Sequence, residues 1–252
     1  IAVSPLGRVR LGGIGARPAY SYTAWFSMLF AAGMGIGLVF YGVAEPLAHF
    51  QSAMAGPSSE AGVRTDCAPL GGATQDITGA RQLGMAATIF HWALHPWAIY
   101  AMMALGFALT SYNNGLPLTV RSIFYPILGD RIWGWPGDAI DILAIFATLF
   151  GLATSLGLGA SQTASGMQYL FGFTNSMTLQ LILIAFITFL ATLSVVSGLD
   201  RGVKRLSELN LGLATLLFVF VLLAGPTYLL IDIFFESVTS YVGALPALSS
   251  PI

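Results

Sequence analysis

Three aromatic residues, Trp92, Trp97 and Tyr100, stand in the stretch "FHWALHPWAIYA", Phe90 to Ala101. On an ideal helix of about 3.6 residues per turn they fall at about 0°, 140° and 80°, on one broad face. Pro96 is placed to bend that face further inward. Aromatic faces concentrate negative potential, so a cluster of them captures a quaternary ammonium group without a counter-charge. The plainer alternative is an interfacial aromatic belt. Belts sit at the ends of spans, whereas these rings are embedded in one. His91 and His95, an i,i+4 pair in the same stretch, raise the question of a metal. Two nitrogens are an incomplete ligand set, and no cysteine or carboxylate lies near them in sequence. Packing or hydrogen bonding to a neighbouring helix is therefore their expected role.

A second chemical candidate is "AAGMGIGLVFYGVAE", Ala31 to Glu45, where Gly33, Gly35 and Gly37 alternate inside a run without charge from Pro18 to Ala44. Each glycine costs about 1 kcal/mol against alanine in a helix interior, and lipid supplies no water to a loosened backbone. Two readings stand side by side. Gly33 and Gly37 have the G-x-x-x-G spacing that lets helices approach closely. With Gly35 added, the patch also suits local unwinding, which in transporters frees carbonyls for cations and turns a half-helix N-terminus towards an anionic group. Glu45, followed by Pro46, is expected to end this segment as a solvated or hydrogen-bonded carboxylate.

These groups need membrane elements to position them. Of the 252 residues, 56% are hydrophobic and only 8% charged, against about 25% charged in soluble domains. This is the composition of an integral membrane protein. The formal net charge of −1 offers no basic footprint for nucleic acid. Cys67 is the sole cysteine, so an intramolecular disulfide is excluded, and the thiol reads as incidental. Spans of about 20 apolar residues cross hydrocarbon, and the sequence predicts five, near 20–43, 83–112, 139–159, 177–197 and 209–231. The uncharged stretch Ile142–Leu199 is too long for one span, and "GASQTASGMQYLFGFTNS" is expected to divide it. Gly225-Pro226 predicts a kink near the end of the fifth.

Of the ten Lys and Arg residues, Arg8, Arg10, Arg17, Arg121, Arg131, Arg201, Lys204 and Arg205 fall on one side of these spans. Arg64 and Arg81 fall on the other. The positive-inside rule makes segment 1–19 cytoplasmic and segment 232–252 external. The 51–81 loop is rich in Gly, Ala, Ser and Pro and is expected to be irregular. The chain has neither an initiator Met nor a signal peptide, and both ends read as cut, so a longer protein is expected.

Five ordered blocks carry a resemblance: "WFSMLFAAGMGIGLVFYGVAEP", "FHWALHPWAIYA", "LPLTVRSIFYPILGDRIWG", "FGLATSLGLGASQ" and "SGLDRGVKRLSELNLGLA". Together they resemble the betaine/choline/carnitine transporter family over nearly the whole chain. The resemblance implies an all-α membrane fold in which these five helices form one half of a leucine-transporter-type inverted-repeat core. It implies that Trp92, Trp97 and Tyr100 form half of a trimethylammonium cage, and that Gly33, Met34, Gly35 and Gly37 form the unwound segment beside the substrate. The carbonyls of Ala31 and Met34 then resemble ligands of a coupling sodium ion, and the Thr148 hydroxyl a ligand of a second. Some sodium-coupled members place another hydroxyl where Leu152 stands here, and a packing role for Thr148 is the alternative.

Choline-carrying members resemble this pattern but have Asp at the position of Gly37. A neutral glycine there favours glycine betaine or a sulfonium zwitterion, because an intramembrane carboxylate without a partner is expensive. The expected function is secondary active uptake of such an osmolyte through the plasma membrane, with sodium as coupling ion and no cofactor. A homotrimer is implied by the resemblance alone. Choline or carnitine transport and proton coupling are alternatives within the family. A membrane enzyme lacks a constellation of nucleophile, base or metal ligands, no nucleotide-binding G-x-x-x-x-G-K-[ST] is present, and a passive channel would not accumulate solute.

Overall fold

In the computed structural model, residues 4–33, 35–55, 59–60, 63–64, 71–198 and 202–250 are described. The first predicted span is not one helix. Helix α1 covers Tyr22–Gly33 and α2 covers Ile36–Ala55. The interruption falls among the alternating glycines, where helix formation is weakest. At 12 residues α1 is about 18 Å long, well short of the roughly 30 Å hydrocarbon core. Helix α2 continues past Glu45 with Pro46 inside it, although the sequence suggested an end there. Packing sustains it beyond the proline: Ala53 and Ala80 are fully buried, with Phe50, Met54 and Leu83 against them. Between α2 and the next helix, β1 (Ser59–Glu60) pairs antiparallel with β2 (Val63–Arg64).

Helix α3 covers Ile77–Trp92 and α4 covers Leu94–Ala108. Asp76 caps α3, its Oδ1 accepting from the Gly79 amide at 3.0 Å. Ala93 separates the two helices at φ −105°, ψ −122°, while its N–H still donates to the Ile89 carbonyl. A π-turn at Leu109–Asn113 follows, then the short helices α5 (Val120–Ile123) and α6 (Tyr125–Leu128).

Helix α7 runs over 37 residues, Trp135–Phe171, about 55 Å. The expected division falls within the segment 159–176 and α8 begins at 177 as predicted, but the preceding helix runs on to Phe171 instead of ending near 159. Serines at 161 and 165 do not break the helix, because hydroxyls can return their hydrogen bonds to the preceding turn, as Ser165 Oγ does to the Ser161 carbonyl at 2.9 Å. The stop is Gly172 at φ +73°, a left-handed residue whose amide still reaches the Gln168 carbonyl at 3.0 Å. Ser176 then caps α8 (Met177–Val196), accepting from the Leu179 amide.

Helix α9 covers Lys204–Ala224, and α10 covers Thr227–Leu248. The expected kink at Gly225-Pro226 is a full break. A residue before proline is disfavoured in the α region, and Gly225 is extended at φ −90°, ψ −177°. Residues 232–248 thus belong to helix α10, where the sequence suggested an external segment.

Five helical stretches among the described residues are long and apolar enough to cross a membrane: Ile77–Asn113, Trp135–Phe171, Met177–Val196, Lys204–Ala224 and Thr227–Leu248. The protein is an all-α membrane protein. The number equals the predicted one, but α10 enters the set and the broken first segment leaves it.

The chain divides into two compact units. One contains the residues up to Ser21 and Pro96–Thr154. Within it Ile132 is fully buried, and the Asn113 side chain holds the N-terminal segment by accepting from the Gly12 amide at 2.9 Å and donating to the Arg10 carbonyl at 3.1 Å. The other contains Tyr22–His95 and the residues from Ser155 onward. There α1 packs on α9, and α3 is gripped by α2 and α10. The α2–α3 crossing is close because Gly84 has no side chain: a Cβ there would stand 2.9 Å from the Phe50 backbone nitrogen. Against α10, Ala86 meets Tyr241 and Leu248. Glu236 accepts from Arg81 Nη2 at 2.6 Å and from Gln82 Nε2 at 2.9 Å.

Candidate functional site

The α1–α2 break sits beside a mainly apolar cleft that carries three polar side chains. Ala31 and Gly33 lie in the last turn of α1, Gly35 in the break and Gly37 in the first turn of α2. Met34 lies outside the described residues. The last carbonyls of a helix and the first amides of the next have no partner within their own helices, so the break offers acceptors from α1 and donors from α2 in one place. A cleft of about 500 Å³ opens there, lined by Gly35, Val39, Gln162, Thr163, Ile187 and Asn210 among others. Its polar groups are neutral amides and a hydroxyl. Such a lining hydrogen-bonds a solute without fixing a net charge in the apolar region.

Trp92, at the end of α3, is held from α2. Its Nε1–H donates to Glu45 Oε2 at 2.6 Å, and its ring lies 6.4 Å, centroid to centroid, from that of Tyr41. The second Glu45 oxygen meets His91 Nδ1, and also His49 Nε2 at 3.4 Å. Tyr41, Glu45, His49, His91 and Trp92 line a second cleft of about 490 Å³. Glu45 is therefore a hydrogen-bonded carboxylate, in the middle of a helix and with its side chain only 12% exposed. His91 and His95 do not act together. His95 Nε2 lies 3.1 Å from Ser249 Oγ, and its ring packs 4.4 Å from that of Phe90.

In the other unit, Trp97 and Tyr100 are neighbours on α4, with ring centroids 5.8 Å apart and 38% and 67% exposed. Because Ala93 leaves helical geometry, ideal-helix angles do not extend from Trp92 to this pair. Thr148 lies on α7, donates to the Ala144 carbonyl at 2.8 Å and lines a cleft of about 400 Å³. Asp141 lines the same cleft and is paired with Arg121. The Arg121 guanidinium contacts Asp141 Oδ2 at 2.5 Å and Asp138 Oδ1 at 2.9 Å, and the Arg121 amide donates to Asp141 Oδ1. Its hydrogen bond to Asp141 pushes the Arg121 pKa above the usual arginine value, against the opposing effect of burial.

Sequence reasoning did not single out Gln162, Thr163 and Asn210. Their signal was amide and hydroxyl groups inside long apolar helices. It also missed Tyr41 and His49 as companions of Trp92.

The family model described as betaine/carnitine/choline family transporter matches residues 1–252. A glycine betaine/proline/choline transporter of Vibrio parahaemolyticus is 61% identical over 251 residues, covering 100% of this chain and 45% of the relative. A glycine betaine transporter of Bacillus subtilis is 44% identical over 239 residues, covering 95% of this chain and 44% of the relative. One of Acinetobacter baylyi is 43% identical over 245 residues, covering 97% and 34%. The chain thus spans less than half the length of these relatives. By match and identity the chain belongs to the betaine/carnitine/choline transporter family.

Proposed function

We propose that a full-length protein carrying this chain takes up glycine betaine, or a similar zwitterionic quaternary ammonium or sulfonium osmolyte, by sodium-coupled alternating access. The observation that carries this reading is the cleft at the α1–α2 break, where Gly35 faces the neutral polar side chains of Gln162, Thr163 and Asn210. A zwitterion suits such a lining: its carboxylate is favoured by the exposed amides and positive dipole end of α2. Its trimethylammonium group is favoured by aromatic faces, for which Trp92, Trp97 and Tyr100 are the candidates. The glycine at position 37 leaves no fixed carboxylate to prefer a net cation such as choline. The carbonyls of Ala31 and Met34 and the hydroxyl of Thr148 are hard oxygen donors of the kind sodium takes. In this reading no further cofactor is used, the protein lies in the plasma membrane with residues 1–19 in the cytoplasm, and homotrimers are the assembly.

The test is uptake of labelled glycine betaine by the full-length protein, with sodium and with potassium in its place. Sodium-dependent accumulation, competed by betaine and not by choline, is expected. Equal accumulation in potassium overturns the sodium assignment and returns Ala31 and Met34 to ordinary backbone. No accumulation in either medium overturns the substrate.

A further inference from the structure

We propose that Glu45, His49 and His91 form a binding site for a zinc-class divalent ion that ties α2 to α3. The site lies in a different cleft from the one at Gly35 but borders Trp92, a candidate for the cage, which lines the same cleft and holds Glu45. Glu45 and His49, four residues apart on α2, project from one face of that helix. His91 approaches from the last turn of α3. One ligand atom from each of the three lies within 4.8 Å of the other two. In tetrahedral zinc, with bonds of about 2.0–2.1 Å, ligand atoms stand roughly 3.3 Å apart. The observed 3.4 Å between Glu45 Oε1 and His49 Nε2 meets that spacing, whereas His91 Nδ1 contacts Oε1 directly, closer than two ligands of one ion stand, so that pair must part to admit the ion.

The chemistry of the donors selects the ion. Two imidazoles and a carboxylate suit zinc and its neighbours, whereas magnesium and calcium take oxygen alone. Three protein ligands leave a fourth position, and the cleft of about 490 Å³ that they line has room for water there. Glu45 is held for the task. Trp92 donates to its other oxygen at 2.6 Å, which fixes the carboxylate plane and leaves Oε1 aimed at both histidines. A metal ligand gains affinity from that kind of outer hydrogen bond. The site is accessible as well: the His91 side chain is 51% exposed and that of His49 25%.

The ion would bridge the two helices that cross at Gly84, next to Trp92. Its binding therefore stiffens the α2–α3 pair.

The experiment uses the full-length protein in detergent, freed of any histidine tag and stripped with a chelator. Zinc sulfate is titrated in competition with a chromophoric chelator, and cobalt(II) is added separately to record its visible absorption. The expected result is one ion per chain at micromolar or tighter Kd, with the intense bands of tetrahedral cobalt. Affinity should fall at least about 30-fold in His91→Ala and in Glu45→Gln, and stay unchanged in His95→Ala. Glu45→Gln keeps the side-chain shape and an acceptor for Trp92, so it decides the matter if His91→Ala does not fold. Absence of saturable zinc binding, or equal affinity in wild type and Glu45→Gln, overturns the proposal. Loss of zinc binding in His95→Ala as well would also overturn it, by moving the site elsewhere.

Discussion

The α2–α3 crossing can be tested at a single atom. A Cβ on Gly84 would lie 2.9 Å from the Phe50 nitrogen, 3.2 Å from the Phe50 Cα and 3.3 Å from the His49 carbonyl carbon. All three are backbone atoms of α2, so no side-chain rotation relieves the contact. Restoring ordinary separation requires the two helices to part by about half an ångström. Overpacking of this kind costs about 1–3 kcal/mol, against a gain of about 1 kcal/mol in helix propensity when Gly becomes Ala. Gly84→Ala is thus expected to be destabilising by up to about 2 kcal/mol, a fall of several degrees in Tm. Gly84→Val should fall further, because its methyls reach deeper and its χ1 is restricted. The assay is thermal unfolding of the full-length protein in detergent, followed by the fraction remaining monodisperse. The decisive arm is a double-mutant cycle with Phe50→Ala. Because the clash is with backbone, trimming the Phe50 side chain should not rescue Gly84→Ala, and the coupling should be small. A Tm for Gly84→Ala above that of wild type, a Gly84→Val no less stable than Gly84→Ala, or strong rescue by Phe50→Ala would refute the close-approach reasoning.

Other perturbations read the remaining parts of the site. Trp97→Ala should weaken apparent betaine affinity about 2- to 30-fold, the range of a cation–π contact of about 0.5–2 kcal/mol, with expression unchanged; unchanged affinity in uptake assays would remove Trp97 from the cage. Gln162→Leu and Asn210→Leu should each raise the KM for uptake, because they take hydrogen-bonding groups from the cleft at Gly35, and normal kinetics in both would place the solute elsewhere. Gly37→Asp should raise choline uptake relative to betaine, measured by competition, since a carboxylate compensates a net cation. Arg121→Ala should lower thermal stability by leaving Asp141 without its partner, and Arg121→Lys should fail to restore it, because a lysine cannot make the forked contacts to Asp138 and Asp141.

Much of the local structure could be read along the chain. Low charge and apolar runs announced membrane helices and Gly225-Pro226 a disruption, while the alternating glycines at 33–37 fitted close helix packing and an interruption equally well. Helix lengths were less legible where polarity and backbone preference diverge. The serines and glycines at 159–166 resemble a loop in composition, yet hydroxyls satisfied by their own helix can persist within α7 until Gly172 takes positive φ. Proline at 46 resembles a stop, yet α2 gains enough burial at Ala53 to continue. A helical wheel joined Trp92 to Trp97 and Tyr100, but Ala93 leaves helical geometry between them.

By itself, then, the sequence determined the membrane class, the glycines at which a break was one of two readings and the aromatic residues available to a cation. These depend on local composition and on backbone preferences that act within a few residues. Only the tertiary structure decided which distant groups converge. Glu45 lies 46 positions before His91 and 47 before Trp92, and Arg81 lies 155 positions before Glu236. No periodicity relates such residues. Their meeting is set by how closely helices approach and at what height they cross, which depends on features such as the missing side chain at Gly84. For that reason His91, whose sequence neighbour His95 turns instead to Ser249, gained in the fold a carboxylate and an imidazole from another helix.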